Sequence, residues 1–129
     1  MENREIKFRG LNRSSKKWCY GYVVVDEKYC QIWQEGDVPV IVDPETVGEY
    51  TGLKDKNGKE IYEGDIVNIK STYSTDTPVD CNATVLFRDG RFTTDYHDLQ
   101  VCGFTRAGNW EGEVIGNIYE NPELLKKEE

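Results

Sequence analysis

The sequence predicts an all-β roll or barrel, and three observations carry that expectation. Segments in which apolar and polar residues alternate, or in which β-branched and aromatic residues crowd together, recur along the chain. Turn signals made of Gly, Asn, Asp and Pro separate them at short intervals. The chain holds 12 Gly and few runs of strong helix formers, so helix is confined to single turns. Together these give about eight to ten short strands.

Taken in order, EIKFRGLN sets Ile6 and Phe8 on one face and Lys7 and Arg9 on the other, a half-buried strand. NRSSKK (12–17) is a polar turn. WCYGYVVV (18–25) is a long strand that DEK turns back into YCQIW (29–33), forming a hairpin. Pro39 makes VPVIV (38–42) a short or edge strand. DPETV (43–47) is a helix start, with Asp43 as N-cap and Pro44 at the first helical position, and Gly48 limits it to one turn.

EYTGL (49–53) is extended. Asn57-Gly58 is then the strongest short turn signal in the chain. In GKEIYEGDIVNIK, Gly64 can take a positive φ and Asp65 can accept an amide across the turn, after which Val67 and Ile69 enter the core. Asn57, Gly58, Gly64 and Asp65 therefore read as structural turn residues. STYSTDTPVD (71–80) is a polar loop. NATVLF (82–87) and RFTTDY (91–96) are strands joined at Asp89-Gly90, and EGEVIGNIY (111–119) is the last strand. NPELLKKEE closes the chain with a short helical turn capped by Asn121. The expected core comprises Phe8, Tyr22, Val24, Ile32, Tyr50, Leu53, Ile61, Val67, Ile69, Val85, Phe87, Phe92, Val114 and Ile118.

At 129 residues the chain fits one domain with a sizeable core. The net charge of −8 is uneven. Residues 1–20 carry six basic and two acidic side chains, and the remaining 109 carry 10 basic and 22 acidic ones. That balance repels phosphate backbones, so direct nucleic-acid binding is not expected. No apolar run resembles a signal peptide or a spanning helix, which places the protein in the cytoplasm. In that reducing compartment Cys19, Cys30, Cys81 and Cys102 are thiols, and their spacings contain no CxxC pair and resemble no zinc site.

Three segments resemble the YopX family of phage and prophage proteins: REIKFRG (4–10), DPETVGEYTGLKDKNGKEIYEGDIV (43–67) and VIGNIYENPELL (114–125). Together they cover 44 of 129 residues, spread over the whole length. The resemblance implies an SH3-like roll or barrel encoded by a phage or an integrated element in a bacterial host. On that basis residues 1–129 form a single YopX-like domain, with an N-terminal β-hairpin region over 1–42 and the SH3-like roll over 43–125. The resemblance implies no catalytic residues.

Chemistry in the sequence is sparse. The one His, His97, lies between Asp95 and Asp98, where it could act as a general base in a hydrolase or join them as metal ligands. A surface histidine in a polar loop is the plainer reading. In an extended strand Asp95 and His97 would share a face that Asp98 does not. No phosphate loop or dinucleotide fingerprint occurs. Catalytic residues, metal ligands and cofactors are therefore expected to be absent. Trp18, Tyr20 and Tyr22, near Arg9, Arg13, Lys16 and Lys17, and Tyr73 in the polar loop, are the candidate binding residues, although the plainer reading of the strand aromatics is that they fill the core between strands. The expected function is a protein-binding or self-assembling β module whose partner is itself or a host or phage protein. The alternative is an acidic mimic or modulator of a host nucleic-acid-binding protein.

Overall fold

The computed structural model describes residues 5–71, 79–94 and 112–125. Among them are ten strands and two 3-10 turns, with no α-helix. The chain divides into two compact units, Met1–Gly52 and Leu53–Glu129.

The first unit is an antiparallel meander of β1 (Phe8–Leu11), β2 (Trp18–Val25), β3 (Cys30–Trp33) and β4 (Val40–Val42). The start of β5 (Gly48–Lys54) pairs with β1 on its other side. Local side chains make the turns. The Asn12 carboxamide oxygen accepts from the amides of Ser14 (2.9 Å) and Ser15 (3.2 Å). The Asp26 carboxylate accepts from those of Lys28 (2.8 Å) and Tyr29 (2.7 Å). Cys19, Cys30, Ile32 and Val42 form the buried cluster, flanked by Phe8, Val23, Val40 and Val47. At Gly10 a Cβ would sit 2.9 Å from a Val42 methyl, so β1 approaches β4 as closely as a side chain would forbid.

β4 is short and ends its sheet, as expected, and the chain just past β1 runs along its outer side, where Arg13 N donates to Ile41 O (3.1 Å) and Asp43 N to Leu11 O (3.0 Å). One expectation changes at the turn that follows. Asp43 precedes the 3-10 turn Pro44–Thr46 but does not cap it with its side chain. Its carboxylate instead faces Arg13 Nε (3.3 Å) and Lys16 Nζ (3.5 Å). Thr46 Oγ1 donates to Asp43 O (2.6 Å) and accepts from Leu11 N (2.9 Å), tying the turn to β1.

In the second unit the far end of β5 leads into β6 (Glu60–Tyr62), and a sheet follows in the order β10-β7-β8-β9. Its strands are β7 (Asp65–Ser71), β8 (Val79–Arg88), β9 (Arg91–Thr94) and β10 (Glu113–Asn117), all antiparallel. Ile61, Val67, Ile69, Ala83, Val85 and Val114 make its core, with Leu53 and Cys81 against them. Burying each Val or Ile of this size contributes about 1.5–3 kcal/mol. A 3-10 turn, Pro122–Leu125, ends the described chain, and Asn82 Nδ2 donates to Leu124 O (2.8 Å) to hold it against β8.

The all-β expectation is met, as two open antiparallel arrangements with no closed barrel among the described residues. Of the expected core, Ile32, Tyr50, Ile61, Val67, Ile69, Val85 and Val114 are buried. Tyr22 and Val24 are exposed, because β2 turns Cys19 and Val23 inward and these two lie on its opposite face. Phe87 is also exposed, stacking edge-on against its register partner Phe92 at 5.0 Å where β8 ends at the Asp89-Gly90 turn.

Polar groups lock the second unit. Asp55 is buried, and its Oδ1 accepts from Asn57 N (2.8 Å) and Lys59 N (2.9 Å) while Oδ2 accepts from Val114 N (2.9 Å). Burial pushes this carboxyl up, but the amides of Val114, Lys59 and Asn57 and the charge of Lys59 outweigh burial and hold it below its ordinary value. Asp65, also buried, accepts from Tyr62 N (2.8 Å) across the Gly64 turn. Gly64 has φ +94°, donates to Val85 O (2.9 Å) and accepts from Ile118 N (2.9 Å).

A Cβ at Gly64 would add left-handed strain and meet the Tyr119 ring at 3.0 Å. Gly64→Val is therefore expected to lower stability by about 1–3 kcal/mol in urea denaturation. An unchanged melting temperature would contradict this placement. Asp55→Ala leaves three inward amides without their acceptor and should cost about 3 kcal/mol or more. Because the Asp55 pKa is depressed in the folded state, its contribution is complete above the unfolded carboxyl value of about 3.9 and falls away as pH drops below it. The stability gap between the parent and Asp55→Asn should stay constant near neutral pH and narrow as pH falls below about 4, and a gap independent of pH would refute the assignment.

Candidate functional site

The β2–β3 hairpin brings together the largest group of exposed aromatic side chains among the described residues. Residues two apart on a strand share a face, and antiparallel register partners point to the same side. Tyr20, Tyr22 and Val24 therefore lie on one face of β2. Tyr22 pairs with Trp33 and Val24 with Gln31, and Tyr29 continues the same face two residues before Gln31. Tyr22 is 66% exposed, Trp33 46%, Tyr20 43%, Val24 42% and Tyr29 42%. Polar groups hold the strip in shape. Trp33 Nε1 donates to Gln31 Oε1 (3.3 Å), and Tyr20 N donates to Gln34 Oε1 (3.3 Å).

Trp18 starts this face but is half-buried, with the Arg9 guanidinium 4.3 Å above its ring centre. Arg9 is itself buried and, as the register partner of Tyr20, lies on this same side of the sheet. The basic side chains near the start of the chain are also engaged. Arg13 and Lys16 face Asp43, and Lys7 Nζ lies 3.6 Å from Glu5 and 5.3 Å from the centre of the Tyr50 ring.

Of the sequence candidates, Trp18, Tyr20 and Tyr22 thus share one face, and Tyr73 lies outside the described residues. Asn57, Gly58, Gly64 and Asp65 sit in turns of the second unit, where Asn57 Nδ2 donates to Glu113 Oε1 (3.3 Å). His97, with Asp95 and Asp98, lies outside the described residues. Among the described residues no group of three or more His, Cys, Asp or Glu side chains is placed to hold a metal ion. Burial pushes the thiols of Cys19 and Cys30 up, which makes them poor nucleophiles. No helix among the described residues is long and apolar enough to cross a membrane.

Sequence reasoning missed Trp33 and Tyr29 as members of the face. The signal was present in the alternation YCQIW, where Cys30 and Ile32 go to the core and Tyr29, Gln31 and Trp33 must then point the other way.

The comparisons with known proteins agree with this architecture. Protein EF1440 from Enterococcus faecalis has a crystal structure similar to this chain, with a TM-score of 0.61 and 28% identity over 96% of this chain and 100% of that one. The X-ray structure of protein yopX from Bacillus subtilis aligns with a TM-score of 0.59 and 23% identity over 95% of this chain and 98% of that one, a likeness of fold. No curated protein matches the chain. The YopX protein family model matches residues 1–126, nearly the whole sequence, and the chain belongs to the YopX family.

Proposed function

We propose that this YopX-family chain is a non-enzymatic accessory module of a phage or prophage, acting in the cytoplasm of a bacterial host by binding protein. One observation carries the reading: Tyr20, Tyr22, Val24, Tyr29 and Trp33 stand exposed on a single sheet face. Tyr and Trp bury large areas at small entropic cost, which is why they dominate binding hot spots. A soluble chain leaves such a group in water at a cost in free energy, and binding recovers it. The phage or prophage setting and the host cytoplasm enter with the family resemblance.

The net charge of −8 favours a second reading, in which the module occupies a host protein that ordinarily binds nucleic acid. Both readings use the same face and differ in the partner.

The test compares the parent chain with Tyr22→Ser/Trp33→Ser in native mass spectrometry and in selection against an immobilised random-peptide library. Both side chains are exposed, so the double variant should fold with a loss of no more than about 1 kcal/mol. Oligomers or selected binders of the parent are expected to disappear in the variant. A parent that is strictly monomeric, with every binder shared equally by the variant, would contradict the proposal. So would turnover of a nucleotide or peptide that is lost in His97→Ala.

A further inference from the structure

We infer that the β2–β3 face takes a basic, extended segment of another protein, with apolar side chains on the aromatic strip and Lys or Arg side chains over its two ends. The inference rests on the binding reading above and adds the chemistry of the partner. Two properties of the face select this occupant over the others.

The first is charge. At the hairpin tip stand Asp26 and Glu27, and just beyond Trp33 stand Glu35 and Asp37, all four exposed. Between Asp26 and Asp37 the only cation is Lys28. Asp26 is fixed in place by the amides of Lys28 and Tyr29. Gln34, whose side chain holds Tyr20 N, opens the turn that carries Glu35 and Asp37, closed by Asp37 N donating to Gln34 O (3.1 Å). The aromatic strip thus has acids at each end. Cations are drawn both to these carboxylates and to the faces of Tyr and Trp rings. A phosphate backbone meets the opposite field and is repelled.

The second is size. At 150–250 Å² for a whole aromatic side chain, the exposed parts of Tyr20, Tyr22, Tyr29 and Trp33 amount to roughly 400 Å². A stable protein–protein interface takes about 800 Å² from each partner. The strip alone is too small for a two-fold dimer, and pairing two copies would also set the same acids against one another. An extended segment that presents a few alternating side chains matches the dimensions of two adjacent strands.

The experiment uses the full chain and two synthetic peptides of about ten residues, one with Val at alternate central positions and Lys or Arg at both ends, the other with Glu replacing every Lys and Arg. A short oligothymidylate is the nucleic-acid probe. Binding is followed by tryptophan fluorescence and calorimetry at low and high salt, and self-association by analytical ultracentrifugation. The basic peptide should bind saturably and more weakly as salt rises, and the Glu peptide at least about tenfold more weakly. Tyr22→Ser/Trp33→Ser should weaken the basic peptide about tenfold or more, and Glu27→Lys/Glu35→Lys severalfold with a flatter salt dependence. Three results would overturn the inference while leaving the binding face standing: tighter binding of the Glu peptide, tighter binding of the oligothymidylate, or a dimer of the parent that Tyr22→Ser/Trp33→Ser dissolves. If no probe distinguishes the parent from the double variant and no such dimer forms, the inference and the binding reading both fail.

Discussion

The Asp55 carboxylate gathers three backbone amides from two distant places: Asn57 and Lys59 in its own turn, and Val114 on β10, 59 residues further on. A buried carboxylate is tolerated when its lone pairs are filled by donors, and here each donor is an amide that would otherwise lack a partner. The consequences spread through the second unit. Fixing Val114 N anchors the start of β10 with Val114 opposite Val67, ahead of a register shift between Val114 and Gly116. That register carries the Val114 side chain into the core beside Ile61 and Val85. Just past the end of this strand the chain reaches Gly64 O through Ile118 N (2.9 Å), so the Asp55 turn and the Gly64 turn are joined through β10.

The first unit has a different logic. Its turns are also closed by Asn12 and Asp26, but these contacts are local and exposed. Its stability comes from a small apolar cluster on one face of the meander. A strand whose one face is buried leaves its other face to be polar or to be used. β2 and β3 do not make that other face polar. They place Tyr20, Tyr22, Val24 and Trp33 there, and acids at both ends of the strip both keep such a surface soluble and define what is attracted to it. Fold and candidate function therefore meet in the same alternation, with Cys19 and Val23 of β2 turned inward and Tyr20, Tyr22 and Val24 facing outward.

Much of the fold was legible because its signals are local. Asn57-Gly58 and Gly64-Asp65 specify turns through backbone freedom and a short carboxylate, and the structure gives Gly58 a φ of +83° and Gly64 one of +94°. WCYGYVVV declared itself a strand by composition and spans β2 from Trp18 to Val25. Its orientation was not legible, because large apolar side chains occupy both parities and nothing in the segment says which set faces the core. Only pairing to β1 and β3 decides that. The role of Asp55 was hidden for another reason. In a chain with 24 acidic residues, one acid beside a turn has no distinguishing mark, and its third donor lies on a strand far away in sequence. Asp43 illustrates the converse: its position is that of an N-cap, yet two nearby cations claim its side chain.

The outward face of β2 and β3 stands open to solvent. Hydroxyl-radical footprinting read by mass spectrometry tests this exposure directly, since each aromatic side chain reports its own solvent access. Fast oxidation is expected at Tyr22 and Trp33, intermediate oxidation at Tyr20 and Tyr29, and strong protection at Tyr50 and Tyr62, which are 4% and 2% exposed. Protection of Tyr22 and Trp33 equal to that of Tyr50 and Tyr62 in the monomeric chain would contradict that exposure.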